Sequence, residues 1–424
     1  MTLPPANAPA NPVTTRQHPR QPGHAMNHSK PQLATPLTAP VTWADPARGQ
    51  AFATWLARTA ERHGLAPASL RVASADASFR RYFRIDDLKG GSCIIMDAPP
   101  DKEDCQPFVK VARLMADAGL PAPRVLAWDE ATGFMLLSDL GAQTMMDVIA
   151  PPPAVDAVAQ ASQTHHGLYL QAVDALVRWQ LSSKPDVLPP YDDALLSREL
   201  ALFPDWYVAQ HRGFALSTDQ QAVLGNAFNL IKESNLQSLN GAQVFVHRDY
   251  MARNLMAPTL VAARTSLPPE GAHFPRGGPS ENILTMPHTA YGLGILDFQD
   301  AVYGPITYDI ASLMRDAFLT WEEDFVLDIT IRYWQKARTA GLPVGDDFGE
   351  FYRAVEWMGL QRHLKILGIF ARLTLRDGKP KYLADTPRFI KYVRATAARY
   401  RSLGPLMVLL DEIEGNETRV GYTF

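Results

Sequence analysis

A short polar motif between two apolar segments constrains this chain more than any other feature of its sequence. Residues 247–254 read His-Arg-Asp-Tyr-Met-Ala-Arg-Asn, which places Asp249 and Asn254 five positions apart. The next apolar segment, residues 293–298, contains Asp297, which follows Asn254 by 43 residues. Two carboxylates and one amide are the oxygen ligands that Mg²⁺ prefers over sulfur or nitrogen. The spacing therefore predicts a magnesium-dependent centre for phosphoryl transfer.

Each member of this motif has a distinct predicted role. We expect the Asp249 carboxylate to orient an attacking hydroxyl and accept its proton, while Asn254 and Asp297 bind the metal ion. An apolar segment, residues 243–246, ends at His247, which we expect to fix the loop by hydrogen bonding. The order of strand, loop, strand and Asp resembles the catalytic loop and metal-binding segment of kinases, although the triplet Asp-Phe-Gln lacks the glycine of D-F-G.

Longer stretches of the chain narrow this resemblance. Residues 297–311 and 247–256 together resemble the small-molecule branch of the protein-kinase-like fold, which contains the aminoglycoside phosphotransferases and choline kinases. With residues 202–206 (Leu-Phe-Pro-Asp-Trp) and 361–370, the chain is most similar to the bacterial anomeric kinases of N-acetylmuramate and N-acetylglucosamine. The resemblance extends over roughly residues 50–410.

The resemblance implies both a fold and an activity. The fold is α+β and bilobal, with a small five-stranded β lobe and a larger helical lobe. The activity is the ATP- and Mg²⁺-dependent phosphorylation of the anomeric hydroxyl of N-acetylmuramate or N-acetylglucosamine, in peptidoglycan recycling. Two alternatives stay open, namely a kinase of another small alcohol such as an aminoglycoside or a choline-like compound, and a nucleotide-binding pseudokinase without catalysis.

The pseudokinase alternative rests on two departures from the kinase pattern. No glycine-rich G-x-G-x-x-G joins the first two predicted strands, and residues 94–100 of the third strand contain no lysine for the α- and β-phosphates. The candidates to replace this lysine, among which the sequence does not choose, are Arg80, Arg81, Arg84 and Lys102. The residues predicted to bind the nucleotide, at the first turn and at the hinge after the sheet, are Ser78, Arg80, Arg81, Asp139 and Leu140.

The acceptor site is predicted from the distribution of charge. Residues 352–402 contain twelve Lys or Arg and three Asp or Glu, a bias that suits a neutral or anionic acceptor rather than a cationic one. We expect basic side chains there to bind the carboxylate of N-acetylmuramate, unless they form a solvated helix face. The residues predicted to contact the acceptor are Asp205, Trp206, Asp300, Arg362, His363 and Lys365.

The composition excludes several other classes of protein. The chain has 424 residues, 46% of them hydrophobic, and a formal net charge of -3, so it lacks the basic field that nucleic acid requires. Its two cysteines, Cys93 and Cys105, form neither a disulfide framework nor a C-x-x-C metal site. Because residues 1–46 contain no secretory signal and no apolar segment is long enough to span a bilayer, we expect a cytoplasmic protein without membrane contact.

The patterns along the chain predict three regions. Residues 1–46 contain ten prolines and no apolar periodicity, which indicates a disordered tail. Residues 47–139 form the small nucleotide lobe, and residues 140–424 form the helical lobe, with a Pro/Gly-rich insertion at 257–292. In the helical lobe, Asp309 is predicted to cap a helix. The strands predicted for the small lobe are 70–73, 79–85, 92–96, 124–128 and 134–138.

Overall fold

The structure, a computed structural model, describes residues 41–75, 79–149, 158–258 and 292–416. Ser78, most of the predicted tail and nearly all of the predicted insertion lie outside these ranges. Within them, no helix is both long enough and apolar enough to cross a membrane. The predicted α+β bilobal fold is confirmed, whereas the exact boundaries of the tail and of the two lobes stay predictions.

The small lobe is built on one five-stranded antiparallel sheet, as predicted. Its strands are β1 (Arg71–Ala75), β2 (Arg81–Asp86), β3 (Ser92–Asp97), β4 (Val125–Asp129) and β5 (Phe134–Ser138). They lie in the order β1-β2-β3-β5-β4, so β3 is the central strand. In the register of the sheet, Met96 of β3 lies between Tyr82 of β2 and Met135 of β5. Side chains of these three positions share one face of the sheet.

Helix α1 (Pro46–His63) covers the opposite face of the sheet. The Asp45 side chain caps its N-terminus by accepting a backbone hydrogen bond at 2.9 Å, and the helix ends where Gly64 adopts a left-handed conformation (φ 64°). Aromatic side chains bury this interface, with the rings of Phe52 and Phe134 centred 5.4 Å apart. The α1 face therefore forms a hydrophobic core of its own within the small lobe.

The other sheet face turns toward the large lobe. Helix α2 (Gln106–Asp117) packs there through Phe108 and Met115, which belong to the same hydrophobic core as the helices of the large lobe. The ring of Phe108 is centred 4.9 Å from that of Phe298, the residue after the predicted metal ligand Asp297. Packing between α2 and this short segment thus connects the small lobe to the predicted catalytic centre.

The large lobe consists mainly of helices. The described ones are α3 (Met145–Ile149), α4 (Val158–Leu181), α5 (Asp193–Leu202) with a π-helical continuation (Phe203–His211), α6 (Thr218–Gly241), α7 (Tyr308–Met314), α8 (Glu323–Thr339), α9 (Phe348–Leu375), α10 (Thr386–Ala397) and α11 (Gly404–Glu414). Gly368 of α9 approaches the end of α5 so closely that a Cβ atom would lie 2.2 Å from Leu202 O. This contact lets Lys365 of α9 reach Glu199 of α5.

Two short strand pairs position the predicted catalytic residues. They are β6 (Gln243–Val246) with β9 (Val302–Pro305), and β7 (Leu255–Met256) with β8 (Gly294–Ile295). Strand β6 ends directly before His247. Strand β7 begins directly after Asn254, and β8 ends two residues before Asp297, so the pairing of β7 with β8 brings these two polar residues together. Strands β7 and β8 are therefore antiparallel partners, although the segment predicted as an insertion lies between them in the chain.

Candidate active site

The loop that contains Asp249 is held in part by a buried histidine. His247 Nδ1 accepts a hydrogen bond from the Asp249 backbone N–H at 3.2 Å, and its Nε2 lies 2.9 Å from Leu296 O. Because Nδ1 accepts, the proton resides on Nε2, which donates to the carbonyl. Burial lowers the pKa of His247 to about 4, so the ring is neutral at neutral pH. The histidine fixes the loop, which agrees with its predicted role.

A second buried group, the Asp309 carboxylate, holds the same loop, and its position contradicts one prediction. Asp309 does not cap a helix, because α7 begins at Tyr308 and encloses Asp309 within its first turn. Its carboxylate accepts hydrogen bonds from the backbone N–H groups of His247 at 2.7 Å and Arg248 at 3.0 Å. Burial raises the pKa of Asp309 to about 7, and these two donors work against the increase. The carboxylate satisfies two buried donors of the catalytic loop, which would otherwise lack partners.

The three residues of the predicted catalytic centre meet in space. Asn254 Nδ2 donates to Asp249 O at 2.9 Å and to Asp297 Oδ2 at 3.3 Å. Asp297 and Arg248 both have left-handed backbones, with φ values of 63° and 75°. For a residue other than glycine this conformation costs about 1–2 kcal/mol, so the surrounding contacts must maintain it. Within the described residues, no side chain donates a hydrogen bond to the Asp249 carboxylate, which leaves it accessible to an acceptor.

Asn254 and Asp297 provide a donor set that fits a magnesium ion. Because the amide nitrogen of Asn254 faces Asp249 O and Asp297, its Oδ1 is the atom that remains for a metal. Gln299, at the position of the absent glycine, donates to Asp297 Oδ1 at 2.9 Å. The described parts of the chain contain no cluster of three or more His, Cys, Asp or Glu suited to a metal ion. Two protein ligands suit Mg²⁺ that is also bound by water and by phosphates.

A cavity of about 420 Å³ lies between the two lobes and ends at these residues. Its upper wall includes Tyr82, Ile94 and Leu137 from the sheet, and its lower wall includes Asn254 and Asp297. The volume lies in the range of small-molecule sites. An apolar wall with polar oxygen ligands at one end suits a ligand that has a flat ring system at one end and a charged group at the other.

The predicted hinge residues Asp139 and Leu140 both line this cavity. The Asp139 carboxylate accepts hydrogen bonds from Arg84 Nε at 2.6 Å and from the Ser92 hydroxyl at 2.7 Å. Burial opposes the charged form of Asp139, but these donors outweigh it and lower its pKa. Since the carboxylate is already bound by protein donors, we expect a ligand at the hinge to meet the backbone and the Leu140 side chain.

Arg80 and Arg81, both predicted to bind the nucleotide, lie on opposite faces of the sheet. Arg81 Nη2 donates to Asp97 at 2.9 Å, and its guanidinium lies 4.0 Å from the centroid of Trp43 on the α1 face. The structure therefore corrects the prediction for Arg81, because the sheet separates this side chain from the cavity. Strand alternation places Arg80 on the face of the sheet that carries Tyr82, where it pairs with Glu103 at 3.1 Å outside the described lining of the cavity.

A buried carboxylate that lies beside the catalytic loop, Glu199, was not predicted from the sequence. Glu199 of α5 accepts hydrogen bonds from Arg248 Nη2 at 2.5 Å and from Lys365 Nζ at 2.7 Å. Tyr191 and Gln361 donate to its second oxygen at 2.7 and 2.9 Å. Burial opposes its charge, but Lys365 and Arg248 outweigh that effect and lower the pKa of Glu199 to about 2. The cluster fixes Arg248 next to Asp249.

The spacing of Glu199 in the sequence is a signal that could have revealed this cluster. The buried side chains of α5 and of the first residue of its continuation are Leu196, Glu199, Leu200 and Phe203. These positions form one face of a helix, so Glu199 occupies a place where an apolar residue is expected. A carboxylate on such a face needs buried donors or cations, which predicts a polar cluster without naming its members.

The basic helix face around Arg362 is buried, so the alternative of a solvated face is wrong. Arg362 is 2% exposed, its Nη1 donates to Arg248 O at 2.8 Å, and its guanidinium lies 4.9 Å from the centroid of Tyr308. His363 is equally buried and packs against two aromatic rings. The Lys365 side chain retains 12% exposure. The structure therefore does not bring His363 to an open surface, while contact of Lys365 with an acceptor stays a prediction.

The other predicted acceptor residues occupy two places. Asp205 is exposed and Trp206 half-buried on the π-helical segment, which packs along α9. Asp300 is exposed, and its carbonyl accepts a hydrogen bond of 3.4 Å from Arg248 Nη1, which places it at the catalytic loop. Acceptor binding by these three residues stays a prediction.

Fold and site together define a phosphotransferase of the protein-kinase-like class. The chain belongs to the phosphotransferase enzyme family, whose model matches residues 69–259 and 280–346. Two solved structures have the same fold at only 11% sequence identity. An ADP-bound aminoglycoside phosphotransferase, APH(2'')-Ib, has a TM-score of 0.50 over 81% of this chain and 98% of its own. An ethanolamine kinase from Plasmodium vivax has a TM-score of 0.50 over 79% and 85%.

Curated relatives are much more similar in sequence. A protein of Pseudomonas aeruginosa is 46% identical over 346 residues, which cover 81% of this chain and 88% of that protein. A protein of Neisseria meningitidis is 44% identical over 356 residues, which cover 84% and 94%. Both relatives are named N-acetylmuramate/N-acetylglucosamine kinase.

Proposed function

We propose that this protein transfers the γ-phosphoryl group of ATP to the anomeric hydroxyl of N-acetylmuramate and N-acetylglucosamine. The observation that carries the proposal is the meeting of Asp249, Asn254 and Asp297 at the end of the interlobe cavity. The names of the relatives with 44% and 46% identity support the two sugars as acceptors. The likeness in fold to other kinases supports the class of reaction.

Asp249 is the proposed general base. Its carboxylate orients the acceptor hydroxyl toward the γ-phosphorus and takes the hydroxyl proton as the new P–O bond forms and the bond to ADP breaks. The hydrogen bonds of its backbone to His247 and Asn254 hold the loop in place. Asn254 and Asp297 are the proposed ligands of Mg²⁺, which neutralises charge on the phosphates when bound.

The surroundings of Asp249 suit an anionic acceptor. The cations Arg248, Arg362 and Lys365 are clustered beside the catalytic loop, and Glu199 is the carboxylate with which two of them pair. A cation at this place favours a sugar that carries a carboxylate over a polycationic aminoglycoside. Lys365 is the member of the cluster that we propose to contact the acceptor, because it is buried less than Arg362.

The test measures both the rate of turnover and the position of the new phosphate on the sugar. The protein is incubated with Mg-ATP and, separately, with N-acetylmuramate, N-acetylglucosamine, choline and an aminoglycoside, while ADP release is followed. Phosphorylation at the anomeric hydroxyl locks the sugar ring and removes its reducing end, so a reducing-sugar assay should lose signal in step with ADP release. Phosphorylation at any other hydroxyl would leave the reducing end intact.

The outcomes separate the three functional classes. Release of ADP with either sugar, with loss of the reducing end, is expected. Transfer to choline or to the aminoglycoside but to neither sugar would replace the proposal with the small-alcohol alternative. Nucleotide binding without ADP release on any acceptor would favour the pseudokinase.

A further inference from the structure

The central strand of the small lobe has no cation at the position where kinases hold the nucleotide phosphates. Ile94 lines the cavity, and Met96 follows it on the same face and is fully buried. In kinases a lysine of this strand pairs with a glutamate of the following helix and contacts the α- and β-phosphates. The equivalent charge must therefore come from another segment if the cavity holds a nucleotide.

Three of the four candidate cations are held by contacts at other places. Arg81 pairs with Asp97 on the α1 face of the sheet. Arg84 lines the cavity but is bound at the hinge, where its Nη2 donates to Gly141 O at 2.7 Å in addition to its contacts with Asp139. Lys102 is exposed, and its Nζ lies 4.9 Å above the ring of Phe79 on the surface.

Arg80 differs from all three in its placement. Side chains alternate along a strand, so Arg80, directly before β2, shares the cavity face with Tyr82. It is 9% exposed, and its Nη2 lies 3.1 Å from Glu103, which precedes α2. The other oxygen of Glu103 accepts the Phe79 backbone N–H at 3.2 Å, which connects the start of α2 to the end of the first turn. An ion pair between the segments that precede β2 and α2 is therefore present, with its cation next to β2 instead of on β3.

We propose that Arg80, oriented by Glu103, binds the α- and β-phosphates of the nucleotide in place of the absent third-strand lysine. The guanidinium stays protonated throughout and neither gives nor takes a proton, so it acts through charge and through its paired N–H donors. Glu103 is a positioning residue that fixes the orientation of the Arg80 guanidinium. The inference rests on the proposed function only in treating the interlobe cavity as a nucleotide site.

The test measures nucleotide binding directly, without any acceptor. Arg80→Gln removes the charge but keeps a side-chain donor for Glu103. We expect it to weaken ADP binding by about 10- to 100-fold, the usual effect of losing a charge-assisted contact, and to change adenosine binding by less than about twofold. Arg80→Lys restores the charge and should recover most of the ADP affinity. Isothermal titration calorimetry with ADP and with adenosine gives both numbers for each variant.

Arg81→Gln is the matched control, because it alters the neighbouring arginine on the opposite face. Its affinities for ADP and adenosine should equal those of the wild type. Unchanged ADP binding in Arg80→Gln, or an equal loss for ADP and adenosine, would overturn the proposal. If Arg80→Gln does not fold, Glu103→Gln tests the same pair, with several-fold weaker ADP binding and unchanged adenosine binding expected; unchanged ADP binding would again overturn it.

The result is independent of the acceptor. Suppose that the protein phosphorylates neither amino sugar but that Arg80→Gln still loses affinity for ADP and not for adenosine. The proposed function then fails, and the role of Arg80 in binding the phosphates stands. If the sugars are phosphorylated and Arg80→Gln binds ADP normally, the proposed function stands and the role of Arg80 fails.

Discussion

The Asn254 amide donates to the Asp297 carboxylate at 3.3 Å, although 43 residues separate the two in the chain. The contact follows from the pairing of β7, which begins directly after Asn254, with β8, which ends two residues before Asp297. The amide thereby turns its nitrogen toward protein oxygens and leaves its own oxygen for a metal.

The first prediction concerns Asp249, the proposed general base. Asp249→Asn keeps the size of the side chain but cannot accept the acceptor proton, so kcat should fall by about 10²–10⁴ while ADP affinity stays near the wild-type value. Steady-state kinetics and calorimetry measure the two quantities. Asp346→Asn, at a side chain that is 93% exposed, is the control and should keep full activity. Wild-type turnover in Asp249→Asn would remove Asp249 from catalysis.

The second prediction concerns the contact between Asp309 and the catalytic loop. Asp309→Leu removes the acceptor of two buried backbone N–H groups, each of which costs about 1–3 kcal/mol when left without a partner. We expect a lower Tm together with a lower kcat, because the same bonds position Asp249. Asp309→Asn keeps one oxygen and should lose less of both. A variant with normal Tm and reduced kcat would show that the carboxylate acts in the chemistry itself.

The third prediction separates Arg362 from Lys365. Arg362 is bound to Arg248 O, so Arg362→Met should lower kcat/KM for both sugars by the same factor. Lys365→Met should lower kcat/KM for N-acetylmuramate by roughly 10- to 100-fold and affect N-acetylglucosamine much less, because only the first sugar has a carboxylate. Parallel kinetics with the two sugars measure both ratios. Equal losses in Lys365→Met would assign this lysine to loop positioning through Glu199.

The fourth prediction concerns acid stability and checks the burial of His363. Burial, followed by the nearby arginines, lowers its pKa to about 3. Between this value and the ordinary histidine pKa the unfolded chain binds more protons than the folded one, so stability falls as the pH drops below about 6.5. At pH 5 the loss is about 2 kcal/mol. His363→Gln cannot undergo this loss, so its stability deficit relative to the wild type should shrink by that amount between pH 7.5 and pH 5.

Denaturant unfolding at the two pH values measures this change. A deficit of His363→Gln that does not change with pH would show that the histidine is accessible to solvent, and would return it to the acceptor candidates.

The fifth prediction concerns where the residues that stabilise the fold begin along the chain. Trp43 packs against Phe52, and Arg81 stacks on its ring and donates to Thr42 O. Deletion of residues 1–40 should leave Tm and kcat unchanged, since a Pro-rich segment without apolar periodicity is expected to bury little surface. Trp43→Ala should lower Tm by several degrees, because it removes buried aromatic surface. An equal loss of Tm in both proteins would show that the first 40 residues also pack on the body.

The sequence by itself predicted the chemistry of the proposed centre and the order of the elements around it. Phosphoryl transfer with Mg²⁺ requires oxygen ligands and a carboxylate base, and few residue types meet that requirement, so Asp249, Asn254 and Asp297 are recognisable from local spacing. The five strands are recognisable for a similar reason, because alternation and turn residues act over a few positions.

Tertiary structure alone decided which partners the charged side chains meet. Arg80 and Arg81 are adjacent in the chain, yet the alternation of β2 and the positions of Glu103 and Asp97 send them to opposite faces of the sheet. Glu199 meets Lys365 across 166 residues. Charged side chains are buried only where a partner is present, and that partner is brought by packing of distant elements, so no local pattern contains the answer.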